Sequence, residues 1–326
     1  MKVMILGCNS FSGASTTKAL LDKGYQVYGV SRSYRLADHY RAFNDVASNF
    51  TFVKLGSNMI PGEIVNICKR YGIYRIINFV AQSMVEESWH NPQDWYETNC
   101  VWLSKLISEL DSWGKVDKFI QFSTPEVYGS TADWIKENFD FNPTTPYAIS
   151  RAAGDLHLKA MYLARSFPVI FTRAANIYGP FQPRYRIVPR AILSSIFGEK
   201  IFLHGGGKSV RSFIYAEDVS AALLKILDYG EIGNTYHIST KEVVTIFDLV
   251  KLIFEIRGID NLDLIEVTNE RRGKDKAYLL NTEKIRKELQ WSDQVKLQEG
   301  LSKTIAWAES NINNLRTAPA EYIHRS

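Results

Sequence analysis

Tyr147 and Arg151 in TTPYAISRAAG lie four residues apart, and their types and spacing could do chemistry. On a helix, positions four apart share one face. A cation beside a phenol favours the phenolate, which makes Tyr147 a candidate base at neutral pH. Upstream, FSTPEVYG (122–129) places Thr124 and Glu126 around a proline. The pair offers a hydroxyl to hold a substrate oxygen and a carboxylate to take a proton. Pro125 can do neither; its ring fixes φ and shapes the turn. The plainer alternative is that Glu126 is a polar turn residue.

These residues need elements to position them, and the pattern supplies them. Short apolar runs occur at 2–6, 26–30, 50–54, 75–80, 118–122 and 168–172. Between them the spacing predicts helices near 13–23, 61–71, 93–111 and 145–166. Strands alternating with helices predict βαβ units and a parallel sheet covered on both faces. The expected fold class is α/β, a Rossmann-type doubly wound parallel sheet with a smaller, partly interleaved C-terminal substrate domain. In such sheets ligands bind at the carboxyl edge, which is where STPE ends its strand. Domain boundaries are expected at 1–176 and 177–326, with segments near 215–240 returning to the first unit. The second part carries expected helices near 216–228, 245–257 and 297–312 and a strand near 235–238. HGGG (204–207) is expected to be a tight hairpin before the strand of Arg211. TAPAEYIHRS is expected to be a loose tail.

Near the start of the chain, GCNSFSG (7–13) follows the first strand and opens a helix. Gly7 suits a tight turn, and Gly13 allows close helix–strand approach. The helix N-terminus, with Ser10, Phe11 and Ser12, offers N–H groups to a pyrophosphate. Ser10 stands where the dinucleotide fingerprint has a glycine. Strand two ends in Ser31 and Arg32, where NAD sites carry an acidic residue for the ribose hydroxyl. A guanidinium there pairs with a 2′-phosphate, so NADP is expected ahead of NAD.

Bulk properties narrow the class. A formal charge of +4 argues against a nucleic-acid surface, and 45% hydrophobic residues support a sizeable core. Cys8, Cys68 and Cys100 are widely spaced with no CxxC, and read as reduced thiols. The histidines show no metal-ligand spacing, so no metal is expected. The opening apolar run is too short for a signal peptide, and no stretch approaches a membrane span. A cytoplasmic protein with no membrane partner is the expectation.

The motifs GCNSFSG, NFVAQSMVEES, ETN (97–99), FSTPEVYG, PYAISR, RAANIYGP and SVRSFIYAEDV occur in the order of the extended short-chain dehydrogenase/reductases. More narrowly, the chain resembles a nucleotide-sugar 4,6-dehydratase over residues 1 to about 290. The resemblance implies that Thr124 hydrogen-bonds the sugar 4-hydroxyl and that Tyr147 takes its proton while hydride passes from carbon 4 to the nicotinamide. It implies that Glu126 takes the carbon 5 proton made acidic by the new ketone. The carbon 6 hydroxyl then leaves as water and the hydride returns to carbon 6. Arg151 stands where the family has the lysine that binds the nicotinamide ribose; it keeps the charge in a differently shaped fork. Pro125 stands where glucose-type relatives have an aspartic acid that protonates the departing hydroxyl. Ala81, Gln82 and Asn99 are implied at the cofactor, with Ser83, Asn176, Arg186, Arg211 and Arg271 at the sugar nucleotide. The resemblance also implies a homodimer through helices 93–111 and 145–166. Their apolar residues Trp95, Val101, Trp102, Leu106, Leu156, Leu158 and Met161 fit that interface and a monomer core alike.

Three readings compete with dehydration. A 4-epimerase would have no use for Glu126. A nucleotide-uronate decarboxylase would tolerate Pro125, because no hydroxyl has to leave. A catalytically silent NADP-binding regulator would have no reason to keep Thr124, Glu126 and Tyr147 together.

Overall fold

The computed structural model describes residues 1–33, 37–43, 46–56, 59–269 and 277–324. Seven strands form one parallel sheet: β1 (Lys2–Leu6), β2 (Gln26–Ser31), β3 (Phe50–Lys54), β4 (Arg75–Asn78), β5 (Lys118–Ser123), β6 (Val169–Ala174) and β7 (Thr235–Ile238). Their spatial order is β3-β2-β1-β4-β5-β6-β7. The chain winds outward from β1 to β3, then returns to β4 on the other side of β1. That reversal leaves a crevice beyond the carboxyl ends of β1 and β4.

The strands are largely apolar on both faces because helices cover both; β6, VIFTRA, is buried throughout, including Thr172 and Arg173. One face packs on α1 (Phe11–Asp22), α6 (Ala216–Tyr229) and α8 (Glu283–Leu289). The other packs on α2 (Pro61–Tyr71), α3 (Leu103–Trp113) and α4 (Pro146–Arg165). A separate core joins α5 (Ile187–Phe197), α7 (Ile246–Ile256) and α9 (Leu297–Ser310) beside the sheet. β7 comes from late in the chain yet forms the sheet's edge against β6, with Thr235 opposite Phe171.

Two expectations change here. The helix expected near 93–111 is not one regular α-helix: Pro92–Tyr96 leads into a π turn, Glu97–Trp102, before α3. The wide turn carries Asn99, whose backbone carbonyl presses on α4 at Gly154. A Cβ on Gly154 would lie 2.5 Å from that oxygen, so only glycine lets the two helices meet. HGGG makes no hairpin to the strand of Arg211. Gly205, Gly206 and Gly207 all take positive φ and redirect the chain. Ile201–His204 pairs in parallel with Ile265–Thr268, and Val210–Arg211 pairs with Val244–Thr245. The three cysteines are unpaired, and burial pushes the Cys8 and Cys68 thiols up to about 12.

Candidate active site

β5 delivers Ser123 to the carboxyl edge, and a short 3₁₀ turn, Pro125–Tyr128, follows it. Thr124 caps the turn: its Oγ1 accepts from the Glu126 amide at 3.3 Å. Pro125 sits at the first helical position, where its missing N–H leaves no donor unsatisfied and its fixed φ suits the turn. Pro125 and Val127 are buried, so the turn is anchored on either side of Glu126. Pro125 therefore shapes the segment that presents the carboxylate.

α4 begins opposite. Thr145 caps it by accepting from the Ala148 amide at 3.1 Å, and Pro146 opens its first turn. Tyr147 and Arg151 then face the same space as Thr124 and Glu126, a cavity of about 1050 Å³. Arg151 is only 4% exposed and donates to the Phe122 carbonyl. Burial raises the Tyr147 pKa above its ordinary value; Arg151 pulls it down, Glu126 pushes it up, and Thr124 and Arg186 pull it down. The net direction is upward, whereas the Tyr-x-x-x-Arg spacing suggested a ready phenolate. Spacing along a helix reports the cation but not the depth of burial or the carboxylate across the cavity.

Ser10, Phe11 and Ser12 line the other end of the same cavity. Ser10 is the N-cap of α1, its hydroxyl accepting from Gly13 N at 3.1 Å. Gly7 has φ +79°, and a Cβ on Gly13 would fall 2.3 Å from the Gly7 carbonyl. These two glycines make the tight strand-to-helix turn. Asn9, which sequence reasoning passed over inside GCNSFSG, ties this turn to the end of β2: its Nδ2 lies 3.2 Å from Ser33 Oγ. Ser33 Oγ in turn lies 3.1 Å from Ser31 Oγ, and Arg32 sits between the two serines in the chain. After β4, Ala81 and Ser83 line the cavity. Gln82 and Asn99 bond to each other: Gln82 N donates to Asn99 Oδ1 at 2.9 Å, and Asn99 Nδ2 donates back to the Gln82 carbonyl at 3.0 Å. Asn99 Nδ2 also reaches Ser150 Oγ on α4 at 2.9 Å. The asparagine thus holds the 81–83 loop against the Tyr147 helix.

The second core supplies the opposite wall. Asn176, Arg186 and Arg211 all line the cavity. Arg186 Nη2 donates to Ser83 Oγ at 3.3 Å, joining two expected substrate residues across the crevice. Arg211 is 7% exposed and lies over the Tyr278 ring at 4.2 Å. Tyr278 donates to Asn176 Oδ1 at 2.6 Å and is a cavity residue that sequence reasoning missed. Its only sequence signal was its place at the end of ERRGKDKAY. Arg271, the residue expected to act from that segment, lies outside the described residues.

The tail is not loose. Arg184 Nη1 donates to the carbonyls of Leu315, Arg316 and Ala318 at 2.8 to 3.2 Å, fixing its root. Tyr322 then packs on Tyr185 and donates to Gln82 Oε1 at 3.2 Å. His324 stacks on Trp95 and lies 2.7 Å from Asp94. Aromatic rings spaced through a polar sequence carry these contacts, and composition alone did not single them out. Among the described residues, no group of three His, Cys, Asp or Glu could hold a metal, and no helix is long and apolar enough to cross a membrane.

A family model described as GDP-mannose 4,6 dehydratase matches residues 4–304. The chain belongs to the GDP-mannose 4,6-dehydratase family. Among curated relatives, this family member is 34% identical over 268 residues to a trifunctional UDP-glucose 4,6-dehydratase/UDP-4-keto-6-deoxy-D-glucose 3,5-epimerase/UDP-4-keto-L-rhamnose-reductase of Arabidopsis thaliana. That match takes in 81% of the chain and 40% of the plant protein, so the chain spans under half the relative's length. It is 27% identical to the dTDP-glucose 4,6-dehydratase of Escherichia coli, over 95% of the chain and 94% of the relative. The crystal structure of dTDP-glucose 4,6-dehydratase from Streptomyces venezuelae, with NAD and TYD bound, superposes with a TM-score of 0.88 at 26% identity, covering 96% of the chain and 98% of the other. The motifs that suggested an extended short-chain dehydrogenase/reductase and the seven-stranded sheet thus agree with the family assignment.

Proposed function

We propose that the chain is a nicotinamide-dependent nucleoside-diphosphate-hexose 4,6-dehydratase that makes a 4-keto-6-deoxy sugar nucleotide. One observation carries the reading: Thr124, Glu126 and Tyr147 open on one cavity that is flanked by the N-terminus of α1 and by Arg211. The cradle fits a dinucleotide. Its two glycines allow the tight turn that sets the N-terminal end of α1 at the cavity, where Ser10, Phe11 and Ser12 line it without an opposing negative charge. Ser10, Phe11, Ser12, Gly7 and Gly13 would hold the pyrophosphate, Ala81 and Gln82 the ribose side, and Arg151 the nicotinamide ribose. A nicotinamide held there would supply reversible hydride storage between carbon 4 and carbon 6 of the sugar.

The chain's own residues do the rest. Thr124 orients the 4-hydroxyl, and Tyr147 accepts its proton, with Arg151 and Arg186 favouring the phenolate against burial. Glu126 takes the carbon 5 proton once carbon 4 is a ketone. Arg211, Asn176 and Arg186 hold the diphosphate end with Ser83, and Arg271 is assigned there by motif alone. Asn99 acts by fixing the 81–83 loop. Residues 1–176, with 216–229 and 235–238, serve the cofactor, and most of 177–326 serves the sugar nucleotide. A panel of UDP-glucose, dTDP-glucose and GDP-mannose tests the reading by product mass. Loss of one water from one of them without added oxidant is expected. Loss of carbon dioxide from a uronate analogue, or unchanged mass with an inverted centre, would replace the reading.

Arg32 supports NADP over NAD, because a guanidinium beside the end of β2 can pair with a 2′-phosphate. Tighter NAD than NADP binding by calorimetry would remove that preference. A homodimer is proposed through one face of the helical run. Trp95, Trp102, Leu106 and Leu158 are buried in the single chain, while Val101 (37%), Ile149 (42%), Leu156 (46%) and Leu163 (71%) are exposed. A single-chain mass in sedimentation at micromolar concentration would rule it out.

A further inference from the structure

Pro125 leaves one task of the proposed reaction without an owner. The carbon 6 oxygen must gain a proton to depart as water, and the side chain before Glu126 has none to give. We propose that Tyr278 supplies it, acting as the catalytic acid opposite Glu126; this rests on the dehydratase reading above. Tyr278 lines the cavity with Thr124, Glu126 and Tyr147. Its backbone is tied to the loop that follows Glu126: Thr131 N donates to the Ala277 carbonyl at 2.9 Å, and Leu279 N donates to Thr131 Oγ1 at 2.9 Å. Leu279–Leu280 pairs in parallel with Trp134–Ile135. Tyr278 is thus held by the same chain segment that presents the carboxylate. Its hydroxyl is aimed by Asn176 Oδ1 at 2.6 Å, and its ring lies under the Arg211 guanidinium at 4.2 Å. Acid and base would then lie on facing walls, with the phosphate-end residues steadying the acid.

The charge environment agrees. Burial holds the Tyr278 hydroxyl well above its ordinary range, and the charges of Glu126 and Tyr147 act in the same direction, so the phenol enters the step protonated. Arg211 acts the other way, favouring the phenolate once the proton has gone. The step balances without an outside reagent. Glu126 takes the carbon 5 proton, and the C5–H electron pair passes into the enolate of the carbon 4 ketone, from which it forms the C5=C6 double bond. The C6–O bond breaks with its pair onto oxygen, which takes the phenolic proton and leaves as water. Once hydride has returned to carbon 6, Glu126 returns its proton to carbon 5, and the proton that Tyr147 took from the 4-hydroxyl restores the Tyr278 phenolate, so all three groups end as they began.

Tyr278→Phe tests this because it keeps the ring under Arg211 and removes only the hydroxyl. The probe is whichever of UDP-glucose, dTDP-glucose and GDP-mannose the wild type dehydrates. In the variant, water loss should slow by about 10²-fold or more, a typical contribution of a general acid. Exchange of the carbon 5 hydrogen with deuterated solvent should continue at close to the wild-type rate, because Glu126 is intact. The 6-deoxy-6-fluoro analogue of the same sugar should lose fluoride at the wild-type rate, since fluoride leaves without a proton. Water loss at the wild-type rate overturns the proposal, as does fluoride loss slowed as much as water loss. Loss of carbon 5 exchange overturns it too. A wild-type chain that turns over none of the three sugars removes the dehydratase reading, and this proposal with it.

Discussion

Two clusters of charge hang on the same elements and behave in opposite ways. The sealed one lies behind the sheet edge: Arg173 of β6, Asp155 of α4, Tyr128 of the Pro125–Tyr128 turn and His237 of β7. Arg173 and Asp155 are 0% exposed and 3.2 Å apart. Arg173 also donates to Tyr128 Oη at 3.1 Å and lies over the Tyr128, Phe139 and Phe141 rings. Tyr128 Oη is 2.8 Å from His237 Nε2, and His237 Nδ1 meets the Asn281 carbonyl at 3.1 Å. Burial and the Arg173 charge push His237 down to about 3, so it stays neutral. The open cluster uses the same helix and the same turn, with Tyr147 and Arg151 against Thr124 and Glu126, but it faces the cavity. A phenol, a guanidinium and a carboxylate serve stability where the protein supplies their partners. Where the cavity intervenes, the same kinds of group line a space that a substrate can enter.

The sharpest way to break that contrast is Glu126→Gln. Water loss should fall by roughly 10²–10⁴-fold, the usual contribution of a positioned base. Reduction of bound cofactor should still occur, and the thermal midpoint should hold. Normal water loss in that variant would remove Glu126 from the chemistry. Asp155→Asn should do the reverse, because it leaves Arg173 charged and buried without its anion. About 3–5 kcal/mol of stability should be lost in urea unfolding. A midpoint unchanged from wild type would show that the sealed pair is not structural. The smallest expected effect is a pH shift. The Glu126 carboxylate raises the Tyr147 pKa, so Glu126→Gln should move the rising limb of cofactor reduction to lower pH. A limb that stays put, or moves up, would mean that the two groups do not feel one another.

Much of the sheet was legible because a strand buried on both faces is apolar along most of its length. The runs at 26–30 and 50–54 became β2 and β3 within a residue, and the expected helix 61–71 is α2. The expected strand at 235–238 is β7, although its place at the sheet edge was not visible. Less was legible where glycine and turn chemistry decide direction, as at Gly205–Gly207 and the π turn around Asn99. Tyr278 and Tyr322 were missed for another reason: an isolated tyrosine in a polar stretch carries no periodic signal.

The linear chain by itself determined the pairing of Tyr147 with Arg151, the capped turn that carries Glu126 and the glycine turn after β1, since all of these depend on residues within about one helical turn of one another. Folding decided which charges face the cavity and which are sealed behind it. It also brought Asn176, Arg211 and Tyr278 to the wall across from Glu126. Those outcomes depend on contacts between residues up to about 150 positions apart, and on burial that sets the sign of the Tyr147 shift.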